Sequence, residues 1–223
     1  MRINKFLAQA TGMSRRAADD AVTAGTVAIN DQPVQPGQGV IDTDVVAFRG
    51  KQYTLADIAA ITPVTVMLNK PTSYVVSRNG QGSMTVYDLL PAYYQQLKPI
   101  GRLDKESSGL LLLTNDGELA HELTHPSRHK IKRYEVTLNK PLQPLHRQMI
   151  SEFGLQLEDG LSKLLLDRIE QDDLHWLITM HEGRNRQIRR TFESLGYAVT
   201  RLHRTQFGDY LLNDLPLGEH HKL

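Results

Sequence analysis

The first 50 residues combine two helical patterns with several short strand patterns. In the first helix the apolar residues recur at i, i+3, i+4 and i+7, and they are Ile3, Phe6, Leu7 and Ala10. Gly12 ends that pattern, and Ser14 can cap a second helix that extends to Ala24. Apolar and polar residues then alternate over 26–29 and 44–48, which predicts short strands separated by turns. This segment is therefore predicted to form a compact unit of its own.

The pattern changes beyond residue 63. Residues 51–62 are interpreted as a linker with some helical character. The following run VTVMLNKP begins a series in which strands and helices alternate irregularly and several prolines interrupt them. Such an order favours a mixed, mainly antiparallel sheet over a doubly wound parallel one. The chain is thus predicted to be an α+β protein, with a small N-terminal module at 1–50 and a larger domain at 63–223.

The most continuous apolar run of the larger domain follows a loop that contains an aspartate. Four leucines at 110–113 are bounded by turn signals and predict a strand that is buried on both faces. The Asn-Asp-Gly turn at 115–117 can then cap a helix. Asp104 lies in the loop before the strand, where Gly101 and Gly109 permit an unusual backbone path. Such loops are common where a side chain must be aimed into a cleft.

A carboxylate in this position needs a partner, because a buried charge is costly unless it is paired. Arg102 in the same loop, or an arginine distant in sequence, can supply the cation. A turn cap or a structural ion pair therefore fits the segment as well as a catalytic group does. The sequence DKESSG lacks the ligands of a calcium loop, so no metal site is predicted.

Two further segments place polar residues within apolar patterns. Residues 132–138 alternate as a strand, and Tyr134 shares the face of the apolar residues, which is ordinary for a core tyrosine. The segment EGRNRQIRRTFESLG predicts a helix whose buried stripe consists of Ile188, Phe192 and Leu195. Arg186 and Arg190 then lie on its exposed face, where a solvated role is the plain alternative to a functional one.

Composition limits the class of protein. A hydrophobic content of 40% and a charged content of 23% are ordinary for a soluble globular chain. The absence of cysteine excludes disulfides, thiolate metal sites and a cysteine nucleophile, and it fits a reducing compartment. Neither a signal peptide nor an apolar stretch of membrane-spanning length is found. We therefore expect an untargeted cytoplasmic protein, with a monomer as the default state.

Charge is distributed unevenly although the formal net charge is only +1. Six arginines and one acid, Glu193, fall between residues 184 and 204, and the arginines are 184, 186, 189, 190, 201 and 204. A second basic cluster surrounds the two N-terminal helices, and it consists of Arg2, Lys5, Arg15 and Arg16. Both clusters are candidate surfaces for a polyanion such as RNA. Merely solvated basic faces remain the alternative.

The N-terminal segment resembles a known RNA-binding module. The sequence RINKFLAQATGMSRRAADDAVTAGTVAINDQPV is similar to the small module named after ribosomal protein S-four. The similarity lies in the K-F-L-A helix, the G-x-S-R-R turn, the G-x-V strand entry and the N-D-x-x-V hairpin. It implies that residues 1–50 bind structured RNA.

The segment around Asp104 resembles a catalytic motif. GRLDKESSGLLLLTNDG, residues 101–117, is very similar to the G-R-L-D motif of the RsuA family of pseudouridine synthases, in which the aspartate is essential. The K-x-Y at 132–134 and the G-R-x-x-Q-I-R-R at 183–190 resemble the family's next two motifs, in the same order. One departure is Ser73, where the family usually has glycine after K-P-x. The resemblance covers nearly the whole chain.

The resemblance implies a role for each polar residue. Asp104 acts at the sugar, Tyr134 stacks on the target base and assists proton removal, and Arg189 pairs with Asp104. Leu202 packs beneath the base. The remaining arginines are expected to support Asp104, in the case of Arg102, or to contact phosphates, in the case of Arg184, Arg186 and Arg190.

The implied reaction converts uridine to pseudouridine in ribosomal RNA. Asp104 would attack C1′ of the sugar covalently or remove a neighbouring sugar proton, and the sequence does not distinguish the two. The base is flipped out of its stack, and no cofactor is required because the product is an isomer. Two alternatives are a non-catalytic, ribosome-associated RNA-binding protein and a glycosidase. The glycosidase would need a second carboxylate, for which only Glu106 is nearby.

Overall fold

The chain folds into two compact units, Met1–Val64 and Thr65–Leu223. This computed structural model describes residues 1–223 except the side chain of Pro126. The α-helices are α1 (Ile3–Thr11), α2 (Arg15–Thr23), α3 (Leu55–Ala59), α4 (Gly117–Thr124), α5 (Pro144–Gln148) and α6 (Gln187–Glu193). No helix in the described part of the chain has the length and hydropathy of a membrane span.

The strands of the first unit are β1 (Val27–Ile29), β2 (Gln32–Pro33), β3 (Val46–Phe48) and β4 (Lys51–Tyr53), and they form one antiparallel sheet in the order β2-β1-β3-β4. Local sequence accounts for the two helices that precede them. Gly12 ends α1 in the left-handed conformation at φ 77°, and the Ser14 side chain accepts a hydrogen bond from Ala17 N at 3.0 Å. The turn at Asn30 and Asp31 has positive φ at both residues, as a tight hairpin requires. These elements agree with the predicted pattern.

Residues 51–62 differ from the predicted linker. β4 pairs with β3, and α3 begins with a capping box between Thr54 and Asp57. Tyr53, Leu55 and Ile58 pack against the apolar core of the first unit. These three side chains face that core, whereas Ile61 is exposed. It therefore belongs to the first unit as folded structure.

The strands of the second unit are β5 (Thr65–Lys70), β6 (Lys98–Ile100), β7 (Ser108–Thr114), β8 (Lys132–Leu138), β9 (Leu155–Leu157), β10 (Gly160–Ser162), β11 (Leu165–Arg168), β12 (His175–Met180), β13 (Val199–Phe207), β14 (Tyr210–Leu211) and β15 (His220–Lys222). The main sheet has the order β11-β12-β8-β13-β7-β5-β15, with β6 beside β7 and β14 beside β13. Its pairings are antiparallel except the one between β7 and β13. The α+β prediction is confirmed.

The core of the second unit lies along the central strands. The four leucines of β7, 110–113, are fully buried, as their continuous apolar run predicts. β8 alternates instead, with Tyr134, Val136 and Leu138 buried. In α6, Ile188 and Phe192 are buried as predicted. The buried faces of β7, β8 and β13 therefore lie side by side in one sheet.

Candidate active site

The loop that carries Asp104 enters the centre of the sheet through a glycine. Gly109 has φ +106°, and a Cβ at this position would lie 2.3 Å from the Arg204 carbonyl oxygen on the adjacent strand β13. A residue with a side chain cannot be accommodated without moving one of the two backbones. The close parallel contact fixes where β7 begins, and with it the end of the loop. The Asp104 side chain remains 36% exposed, so a ligand can reach it.

Lys70 holds the same loop from the neighbouring strand β5. Its side chain is fully buried, and Nζ donates hydrogen bonds to the carbonyl oxygens of Pro71 at 2.9 Å, Asp104 at 3.1 Å and Ser107 at 2.7 Å. Burial lowers the pKa of Lys70 to about 8, although the charges of Asp104 and Glu106 act in the opposite direction. A buried ammonium thus fixes the backbone on both sides of residues 105–106.

Arg189 contacts the backbone of this loop, whereas it was expected to pair with the Asp104 carboxylate. Nη2 donates to Glu106 O at 3.1 Å and Ser107 Oγ at 3.4 Å, and Nη1 donates to Val199 O at 2.7 Å. Burial and the charge of Arg186 lower the pKa of Arg189. No ion pair between Arg189 and Asp104 is found among the residues that the structure describes, although the charges of Glu106 and Asp104 act to raise the pKa of Arg189. Arg189 ties the Asp104 loop to the start of β13.

Arg186 is the arginine nearest to the carboxylate. Its Nη1 lies 3.8 Å from Asp104 Oδ2 and donates a hydrogen bond to Glu106 Oε2 at 2.9 Å. The residue precedes α6 in the left-handed conformation, at φ 48° and ψ 29°, which is uncommon for a residue other than glycine. The backbone N–H of Glu106, and then Arg186, lower the pKa of the Glu106 carboxyl. One guanidinium is therefore shared by two carboxylates.

Tyr134 lies in the same row of the sheet as the start of β7. Directly paired residues run across four strands as Lys70, Gly109, Arg204 and Tyr134. With strands about 4.8 Å apart, Tyr134 is roughly 10 Å from Gly109 between Cα atoms. Tyr134 is 8% exposed, and Leu202, 7% exposed, lies on the same face two residues before Arg204 on β13. The sheet thus brings these residues beside the Asp104 loop.

Arg102 and two of the predicted phosphate contacts, Arg184 and Arg190, do not form ion pairs with Asp104 within the described part of the chain. Arg102 is exposed, and no ion pair with Asp104 is found for it among the residues that the structure describes. Arg184 and Arg190 both pair with Asp159, at 2.9 Å and 2.6 Å. Arg184 also donates to two carbonyl oxygens of the β9–β10 hairpin. These two arginines therefore anchor the hairpin, and their charge is partly neutralised within the protein.

The N-terminal basic residues form part of the surface of the first unit. Arg2, Arg15 and Arg16 are exposed, Lys5 is half-buried, and Arg15 Nη2 donates to Asn4 Oδ1 at 3.3 Å. They lie on or next to α1 and α2, whose apolar residues face the core. The predicted separation of a basic surface from an apolar stripe is thus present in this unit.

A group of possible metal ligands lies at the β11–β12 turn. Ligand atoms of Glu170, Asp172 and His175 are all within 4.8 Å of one another. Asp172 accepts hydrogen bonds from the backbone N–H of Leu174 and His175, and its other oxygen lies 2.8 Å from His175 Nδ1. These internal bonds account for the cluster as a feature of the turn.

Lys70, Glu106 and Asp159 were not assigned to the site from sequence. A lysine at the end of the apolar run VTVMLN is an unusual position for a charge and was the available signal for Lys70. Glu106 was considered only as a second acid. Asp159 had no signal, because its role depends on the position of the β9–β10 hairpin relative to α6.

Comparison with known proteins identifies the family that this chain matches. The sequence profile of the family described as RNA pseudouridylate synthase matches residues 64–194, which include the Asp104 loop, β8 and all of α6. A crystal structure of a pseudouridylate synthase superposes with a TM-score of 0.70 at 31% identity, covering 100% of this chain and 96% of that one.

Curated relatives are similar over nearly the whole chain. The large-subunit pseudouridine synthase B of Bacillus subtilis is 36% identical over 230 residues, covering 100% of this chain and 91% of the relative. That of Xylella fastidiosa is 38% identical over 221 residues, and this chain spans 46% of its length. The small-subunit pseudouridine synthase A of Pasteurella multocida is 34% identical over 227 residues and is covered to 96%.

Proposed function

The chain belongs to the RNA pseudouridylate synthase family, and we propose that it isomerises a specific uridine to pseudouridine in ribosomal RNA. The observation that carries the proposal is the placement of Asp104. Its carboxylate is accessible and has an arginine 3.8 Å away, while Lys70 and Arg189 hold its loop from two sides. If Asp104 formed only a structural ion pair, the backbone around it would not need to be fixed by both the buried Lys70 and the half-buried Arg189. This arrangement is suited to presenting a carboxylate to a ligand.

In the proposed reaction the N1–C1′ bond of the uridine breaks and a C5–C1′ bond forms. The proton on C5 leaves to solvent and N1 gains a proton, so the balance requires neither oxidant nor cofactor. Asp104 acts at the sugar in its ionised form, and Arg186 supplies the nearby positive charge. The uridine leaves its stack to reach this carboxylate, at a cost of a few kcal/mol. Stacking on Tyr134 contributes roughly 1 to 3 kcal/mol in return.

Glu106 does not favour the glycosidase alternative. A glycosidase acid must hold its proton near neutral pH, which requires a raised pKa. The pKa of Glu106 is lowered by its own backbone N–H and by Arg186, so this carboxyl is ionised. The proposed role of Glu106 is to help hold the Arg186 guanidinium.

The first unit is proposed to recruit the RNA. Its basic residues, Arg2, Lys5, Arg15 and Arg16, contact phosphates in this proposal, which rests on the resemblance of residues 1–50 to the S-four-type module. The substrate is ribosomal RNA or an assembling ribosomal subunit in the cytoplasm, and the protein acts as a monomer. Analytical ultracentrifugation tests the last point, because a dimer would sediment at twice the mass.

Tritium release from ribosomal RNA labelled at uracil C5 tests the activity. The wild-type protein should release tritium, whereas Asp104→Asn should bind the RNA and release none. Mapping pseudouridine in the large-subunit and small-subunit RNA after reaction then identifies the modified position. Equal release by Asp104→Asn would contradict the assignment of Asp104, and no release by the wild type from either RNA would contradict the activity.

A further inference from the structure

Two cations share the sheet face that carries Tyr134. Arg204 is paired with Tyr134 on the adjacent strand, and Lys132 lies two residues before Tyr134 on β8. Arg204 is only 2% exposed, and its Nε donates to Leu110 O at 2.8 Å. Its Nη2 is buried and has no hydrogen-bond partner among the residues that the structure describes. A charged donor is costly in this state, so the position calls for an explanation beyond packing.

The two charges are close together. Lys132 Nζ lies 5.3 Å, and Arg204 Cζ 4.8 Å, from the centre of the Phe207 ring. Burial and the charge of Arg204 lower the pKa of Lys132, which shows that the cations oppose each other. Contact with an aromatic ring attracts a cation but does not cancel its charge.

No acid within the described part of the chain forms an ion pair with either cation. Glu182 is the acid whose charge acts on Lys132. Its Oε1, however, accepts hydrogen bonds from Arg184 Nη2 at 3.2 Å and from Gln187 Nε2. The pair is therefore a buried excess of positive charge beside the proposed base site.

The Lys132 ammonium can be approached by a ligand. Lys132 is half-buried, and exposed Gly183 lies next to its end. A side chain at residue 183 would begin 3.6 Å from Lys132 Cε and 3.8 Å from Nζ. Glycine leaves that space open, while Arg204 adds positive charge from beneath.

We propose that Lys132 and Arg204 form a phosphate-binding subsite, which holds a backbone phosphate of the RNA strand that carries the reacting nucleotide. This inference rests on the proposed function. A phosphodiester carries one negative charge and several acceptor oxygens, which suits a contact with the ammonium and the field of the guanidinium. The base of the same nucleotide then meets Tyr134 on the same face. Arg184 and Arg190 are less suited to this task because Asp159 already pairs with both.

NMR titration with uridine 3′,5′-bisphosphate, uridine and inorganic phosphate tests the subsite. The wild-type protein should bind the bisphosphate at least about tenfold more tightly than uridine or free phosphate. Lys132→Gln should lose most of this preference and keep its affinity for uridine. Arg133→Gln is the matched control, because Arg133 is exposed on the other face of β8 and should behave as wild type. Arg204→Lys, checked by its unfolding midpoint, should weaken the preference in a folded protein.

The inference is overturned if Lys132→Gln retains the preference, or if Arg133→Gln loses it equally. It is also overturned if inorganic phosphate binds as tightly as the bisphosphate, since the site would then hold a free anion. Tritium release by the wild type decides the proposed function separately. Tritium release without a preference for the bisphosphate would refute the phosphate-binding subsite but not the proposed activity. A preference that depends on Lys132, without tritium release, would refute the proposed activity but not the subsite.

Discussion

Replacing Lys70 with methionine should impair catalysis more than it impairs folding. The substitution removes three hydrogen bonds from a cation to carbonyl oxygens. At about 1.5 to 3 kcal/mol each, they contribute roughly 5 to 9 kcal/mol. The lowering of the Lys70 pKa from 10.5 to about 8 corresponds to roughly 3 kcal/mol of unfavourable burial, which methionine does not incur. The expected net loss of unfolding free energy is therefore about 2 to 6 kcal/mol.

The effect on activity should be larger because two of the three bonds hold the Asp104 loop. A displacement of about 1 Å in a catalytic group costs roughly 100-fold in rate. Urea unfolding, followed by fluorescence of the buried Trp176, measures stability, and tritium release measures kcat. Lys105→Met is the control: Lys105 is exposed in the same loop, and its Nζ donates a hydrogen bond to a side chain, Ser83 Oγ, at 3.1 Å. Near-normal kcat in folded Lys70→Met would refute the reasoning.

The pH dependence of Lys70 gives a second readout of the same prediction. The ammonium is present below pH 8, and above that pH the neutral amine has two hydrogens for three carbonyl oxygens. Activity should therefore decline as pH rises above about 8. Between pH 8 and 10.5, Lys70 binds more protons in the unfolded chain than in the folded chain. The contribution of Lys70 to the free energy of unfolding should therefore rise with pH in this window. Parallel decline of both quantities in this window would contradict the assignment.

Three substitutions and two deletions have defined outcomes. Arg186→Gln should lower kcat at least about tenfold with little change in stability, because it removes the cation near Asp104 from a largely exposed position; unchanged tritium release would contradict this. Gly109→Ala should destabilise the protein by about 3 kcal/mol or more in urea unfolding, since its Cβ would lie 2.3 Å from Arg204 O. Gly101→Ala, with φ +72° and nothing within 4 Å, should cost only about 1 kcal/mol; equal losses would argue against the close contact. Deletion of residues 1–64 should leave a folded second unit that binds RNA more weakly. Deletion of residues 1–50 should leave Leu55 and Ile58 without the core against which they pack. Gel-shift titration measures the RNA affinity of each deletion variant, and circular dichroism measures its folding.

Local patterns were sufficient for much of the fold. The helices around Phe6 and Ala18, the buried leucine strand and the alternating strand of Tyr134 all follow from residue spacing and capping signals. In residues 51–62 the sequence contains a capping box and three apolar side chains, but it does not show which core those side chains meet. The presence of each element was thus easier to predict than its packing.

The motif residues of the site could be predicted from the sequence. The ion pairs and hydrogen bonds between them could not. Which arginine faces Asp104 depends on the left-handed conformation of Arg186 and on contacts between residues 80 positions apart. Lys70 reaches the Asp104 carbonyl across 34 positions. Spacing rules describe neighbours along one element, and these contacts join separate elements. Arg186 occupies the position nearest to the carboxylate, and the role of Arg189 stays a prediction.

The position of β13 has a consequence during synthesis. This strand, residues 199–207, lies between β7 and β8. The strand that follows Asp104 and the strand that contains Tyr134 therefore do not pair directly with each other. Until residues 199–207 have left the ribosome, a nascent chain lacks the element that joins the two halves of its centre. Chains that end before residue 199 should consequently lack the proposed activity.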